Sequence, residues 1–95
     1  MTNLAVDVVK HRGKRPKEPF DPGKLYASLY AACLSTGSPE GVAHQAATDT
    51  CQTVLIWLTN KPEITSADIR VQAARALHQF HPDAAYIYKH HKQLM

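Results

Sequence analysis

Lys17-Glu18-Pro19-Phe20-Asp21-Pro22-Gly23-Lys24-Leu25 decides how this chain is read, because a strand signal stops and a helix signal starts inside it. Pro19 has no N–H to give to a ladder, so Lys17-Glu18-Pro19-Phe20 reads as an edge strand or a very short one. Asp21 has the side chain of an N-cap, and Pro22 brings the fixed φ that suits the first helical position. Working backward, Leu4-Ala5-Val6-Asp7-Val8-Val9-Lys10 has the β-branched content and partial alternation of a strand. His11-Arg12-Gly13-Lys14-Arg15-Pro16 between the two is a turn signal, so an N-terminal hairpin with a long basic tip is expected.

Working forward, Leu25, Leu29, Ala32 and Cys33 recur at helical spacing, with Tyr26 and Tyr30 beside them and Gly37 as the stop. Ser38-Pro39 opens a second helix by the same logic. It runs to about Thr59 with Ala43, Ala47, Cys51, Val54, Leu55 and Leu58 as its buried stripe. Asn60-Lys61-Pro62 breaks it, and Glu63-Ile64 leaves room only for a minimal strand. Thr65-Ser66-Ala67-Asp68 fits a capping box in which Thr65 caps a third helix and Asp68 reaches back. That helix is expected to bury Ile69, Ala73, Ala76, Leu77 and Phe80. His81-Pro82-Asp83 opens a fourth, through Ala84, Ile87, Tyr88 and Leu94. The expected fold is α+β: a four-helix bundle capped by a small three-stranded sheet with a hairpin lid, forming one domain over residues 1–95.

The composition agrees with a single core: 95 residues, 44% hydrophobic and 20% charged. The longest apolar run, Val54 to Leu58, falls far short of the ~20 residues that span a bilayer. Asp7 sits where a signal peptide would be apolar, so a cytoplasmic chain with no membrane partner is expected. Cys33 and Cys51 lack C-x-x-C spacing and lie on amphipathic segments, where cysteine acts as a small buried hydrophobe. His78 and His81 stand three apart and His90-His91 are adjacent, but neither pair has a geometry that converges on one ion, so no metal site is expected. The phosphate-loop, dinucleotide, zinc-protease and nucleophile-elbow motifs are missing, and carboxylates are scattered. Recognition rather than catalysis is the expectation, with no catalytic residues.

The net charge is only +3, yet Lys10, Arg12, Lys14, Arg15, Lys17 and Lys24 fall within one short stretch. Concentrated cations point to an anionic partner. A solvated turn that merely keeps the chain soluble is the competing reading. The helices beginning at Asp21 and Thr65 both follow predicted strands, and a helix N-terminus favours anions. Tyr26, Tyr30, Trp57 and Tyr86 are candidates for a partner surface, although spacing alone does not separate interface aromatics from core ones.

Val9-Lys10-His11-Arg12-Gly13, followed by Glu18-Pro19-Phe20-Asp21 and Lys24-Leu25, resembles the signature that opens the ATP-cone domain. Thr65-Ser66-Ala67-Asp68-Ile69-Arg70 is similar to that family's third-helix start, and Pro82-Asp83-Ala84-Ala85-Tyr86-Ile87-Tyr88-Lys89 to its last helix. The resemblance spans nearly the whole chain, as a stand-alone cone. The family is a regulatory module that binds ATP or dATP in ribonucleotide reductases and in a repressor of their genes. The resemblance implies a nucleotide-sensing role, with Mg2+ accompanying the triphosphate, and a reductase, another regulated protein or a homo-oligomer as the receiver.

By the same resemblance Lys10 and Lys24 contact phosphates, with His11 or Arg12 helping and Gly13 in the turn. Glu18 and Asp21 lie near ribose and adenine, and Thr65 or Ser66, with Arg70, faces the nucleotide. His11 stands where the family usually has arginine, Arg12 where it often has aspartate, and the turn from Gly13 to Glu18 is longer than usual. Three charge-assisted hydrogen bonds at about 1.5–3 kcal/mol each roughly match the ~8 kcal/mol of a micromolar complex before association is charged against them. The base must therefore be enclosed as well, by Val9, Phe20 and Ile64. Two readings stay open beside this one: a small nucleic-acid-binding protein using the basic hairpin on phosphate backbone, and an interaction domain without a nucleotide site.

Overall fold

The computed structural model describes residues 7–9, 18–59 and 63–91, with side chains for 20–59 and 63–90. Four helices dominate it: α1 (Pro22–Ser35), α2 (Glu40–Leu58), α3 (Ser66–Phe80) and α4 (Pro82–His91). Each packs on the next, and α4 closes back on α1. Their facing stripes meet at Leu29, Leu58 and Leu77, which are fully buried, with Val54, Cys33 and Ala73 around them. Burying a leucine side chain contributes about 1.5–3 kcal/mol, so these contacts rather than helix propensity hold the bundle.

The helix ends follow local chemistry. The Asp21 carboxylate accepts from the N–H groups of Gly23 (2.9 Å) and Lys24 (3.3 Å), and Pro22 follows it. Gly37 ends the α1 turn at φ 84°, a left-handed conformation that glycine adopts without a Cβ clash. Thr65 Oγ1 accepts from the Asp68 N–H at 3.1 Å and starts α3 directly out of a strand. At α2 the expectation shifts by one residue, since Pro39 holds the N-cap position and makes no side-chain cap bond. Ser38 is engaged elsewhere.

The α+β expectation, with a sheet as a capping layer and a hairpin lid, is corrected: the described residues form a helical domain. Three minimal strands are described, β1 (Asp7–Val9), β2 (Glu18–Pro19) and β3 (Glu63–Thr65), in the order β2-β1-β3. Asp7 pairs with Pro19 and Val8 with Glu18 antiparallel, while Asp7, Val8 and Val9 pair with Glu63, Ile64 and Thr65 in parallel. Ile64 of β3 enters the core cluster, but strands this short do not build a second layer. The physical reason is length: strands of three, two and three residues present too little apolar surface, and Pro19 cannot extend its ladder. The hairpin tip and its lid role lie outside the described residues.

Two core expectations also change. Phe80 is 43% exposed at the end of α3, and Leu55 is only half-buried, whereas Ala46 and Thr50 are buried in their place on α2. Leu94 lies outside the described residues.

Candidate functional site

The start of α1, the end of β3 and the first turns of α3 stand at one end of the bundle. The β1 register places the backbone of Val9 beside Thr65 and that of Val8 beside Glu18. Phe20, Asp21, Lys24, Thr65, Ser66 and Arg70 are described here with their side chains. Lys10, His11, Arg12 and Gly13 fall outside the described residues, as do the side chains of Val9 and Glu18.

Lys24 is exposed in the first turn of α1 and Arg70 half-buried in the second turn of α3. Tyr88 is buried on α4 with the Ser28 hydroxyl of α1 and the Arg70 guanidinium near its phenol, while that hydroxyl donates to the Leu25 carbonyl at 2.9 Å. Burial pushes the Tyr88 phenol up, against Ser28 and the Arg70 charge, which pull it down. Sequence places Tyr88 on the last helix without a site role and does not single out Ser28. The packing of α4 on both α1 and α3 brings these groups near one another.

The helix N-termini carry the caps expected of them. At α1 the N–H groups of Gly23 and Lys24 are taken by the Asp21 carboxylate, and Pro22 has none. At α3 the Thr65 hydroxyl takes the Asp68 N–H, and Asp68 is in the first turn. The first turn of α1 therefore leaves no open N–H for an anion, and the cationic side chains described at this end are Lys24 and Arg70. Phe20 is partly buried against the core and keeps some apolar surface open, whereas Ile64 is only 7% exposed.

The opposite end holds a polar relay that sequence spacing does not show. The Ala84 N–H donates to His81 Nδ1 at 3.3 Å, so the other ring nitrogen carries the proton. His81 Nε2–H donates to Ser38 Oγ at 2.6 Å, Ser38 to Thr36 Oγ1 at 2.8 Å, and Thr36 to the Cys33 carbonyl at 2.6 Å. A serine beside a histidine suggests a nucleophile and its base, but here Nε2 is the donor and cannot take the serine proton in this tautomer. The relay ties the end of α1 to the start of α4.

The aromatic candidates separate by burial. Tyr26 and Tyr30 stack with ring centroids 5.7 Å apart, Tyr26 shares a 2.6 Å hydrogen bond with His44 Nδ1, and both rings pack on the core, as does Trp57. Tyr86 is 68% exposed on α4. No helix among the described residues is long and apolar enough to cross a membrane. Comparison with protein-family models, with curated proteins and with solved structures finds no match.

Proposed function

We propose that this chain is a regulatory module that binds ATP or dATP at the end of the bundle where α1 and α3 begin, and passes the bound state to a partner protein or to further copies of itself. The observation that carries the reading is the convergence at that end of segments far apart in sequence: Val9 of β1 pairs in parallel beside Thr65, and Val8 antiparallel beside Glu18, which leads into α1. Lys24 and Arg70, with Lys10, supply the cations for a triphosphate, with Mg2+ as its counterion. Phe20 supplies apolar contact for the base. The resemblance to the ATP-cone family adds the expectation of a ribonucleotide reductase or another regulated protein as the receiver. Regulation follows if the nucleotide binds one of two states more tightly, since only differential affinity shifts an equilibrium.

Calorimetry with ATP, dATP and a short DNA duplex, in the presence of magnesium, tests this. Binding of either nucleotide is expected, weakened about 10- to 100-fold by Lys24→Ala if that side chain makes a charge-assisted phosphate contact. Lys24 is exposed, so the helical circular dichroism should not change. Absence of heat with both nucleotides on folded protein refutes the proposal. Heat with duplex alone, falling steeply with salt, establishes phosphate-backbone binding in its place.

A further inference from the structure

A groove of about 810 Å³ runs between α3 and α4. Its floor is apolar: Ala74 and the buried Ala85 lie in it, and Val71 (49% exposed) and Tyr86 (68% exposed) flank it. Its rim is cationic, with Arg70, Arg75 and Lys89, and no carboxylate is among the described residues that line it. This charge is local. Beyond Lys24 the sequence has five cations (Lys61, Arg70, Arg75, Lys89 and Lys92) and five acids (Glu40, Asp49, Glu63, Asp68 and Asp83), so it is neutral there overall, yet three of those cations border one groove.

We propose that this groove docks an acidic amphipathic segment of a partner protein, whose apolar side chains settle on Ala74 and Ala85 while its carboxylates meet Arg75, Lys89 and Arg70. The apolar floor and cationic rim match such a segment on both counts. Helix ridges spaced as Arg70, Ala74 and His78 on α3, against Ala85 and Lys89 on α4, form the kind of trough that accepts an apolar helix face. A free triphosphate would leave the apolar floor uncovered, and a basic segment would meet three like charges. An exposed tyrosine at the edge of such a trough is a residue type that dominates binding energy when covered. Arg70 borders both this groove and the proposed nucleotide site, so the test rests on Arg75, Lys89 and Tyr86, which belong to the groove alone.

The test is amide chemical-shift mapping of the intact protein, titrated with a synthetic amphipathic peptide of glutamate, leucine and phenylalanine. A counterpart with every glutamate replaced by glutamine serves as the second ligand. Saturable shifts confined to residues of α3 and α4 that border the groove are expected with the acidic peptide. The glutamine peptide should bind at least about tenfold more weakly, and Arg75→Glu with Lys89→Glu together should lower affinity for the acidic peptide by about the same factor. Both side chains are exposed, and unchanged circular dichroism verifies the fold of the double variant. Tyr86→Ala should weaken both peptides. Equal binding of the two peptides, or no shifts up to about 1 mM of the acidic one, overturns the proposal. So do the same shifts on raising protein concentration alone, which would seat a second copy in the groove, or on adding ATP alone, which would make it a nucleotide site.

Discussion

Replacing His81 by alanine tests the relay between the α1–α2 turn and the start of α4. His81 Nδ1 accepts the Ala84 N–H in the manner of an N-cap, and its Nε2–H reaches Ser38 at 2.6 Å with a longer 3.3 Å approach to Thr36. Losing a helix cap costs about 0.5–2 kcal/mol, and losing one part-buried side-chain hydrogen bond about 0.5–1.5 kcal/mol. The variant should therefore be less stable by roughly 1–3.5 kcal/mol, and because 1 kcal/mol lowers Tm by ~4–8 °C in a domain of this size, a drop of the order of 10 °C is expected. Ser38→Ala removes only the connection between the two helix junctions and should cost about 1 kcal/mol. Thermal and urea unfolding followed by circular dichroism give all three values, including the double variant. A coupling between the two substitutions of about 0.5–1.5 kcal/mol is expected from a direct bond. Strict additivity would refute the relay, and a Ser38→Ala variant as unstable as His81→Ala would refute the assignment of the cap to His81.

Two further outcomes follow from the core. Thr50 is fully buried and its Oγ1 has no hydrogen-bond partner among the described residues, so Thr50→Val, which keeps the shape and removes the hydroxyl, should raise stability by about 1 kcal/mol in urea unfolding; a loss would show that the hydroxyl is satisfied. Burial pushes the Cys51 thiol up from its ordinary value of 9.0 to about 11, and pushes Cys33 up as well. A group whose folded pKa is raised contributes stability that is complete below its unfolded pKa and declines as pH rises through the folded one. The urea midpoint should therefore fall as pH climbs from 9.0 toward about 11, and Cys51→Ser should flatten part of that decline.

Much of the helical architecture was legible in sequence because its signals are local. Asp21, Gly37 and Thr65 act on backbone groups within a few residues of themselves, and the apolar spacing of Leu25, Leu29 and Cys33 needs no partner to be seen. The β component was overweighted for a related reason: β-branched residues near Val8 signal strand preference, but whether a strand becomes a layer depends on its length and partners, and strands of three, two and three residues are too short to build one. Ser38 reads as a cap from its type and position, yet its hydroxyl is held by His81, 43 residues further on. Of the candidate site, the residue types near Asp21 and Thr65 were readable. So was the capping of both N-termini by the Asp21 and Thr65 side chains, whereas the burial of Ile64 and the partial burial of Phe20 and Arg70 were not, since spacing gives a residue's place on the chain but not what packs over it.

The sequence alone determined the four helices, their main caps and the residue types available for binding, because propensity, capping and periodicity act over one or two turns. Tertiary structure alone decided that Ser28, Tyr88 and Arg70, from three different helices, lie near one another, that Tyr86 is exposed while Tyr26 and Tyr30 pack on the core, and that Arg70, Arg75 and Lys89 border one groove. Those facts depend on which helix faces which, a choice made by the burial of apolar surface across the whole bundle rather than by any local stretch of chain.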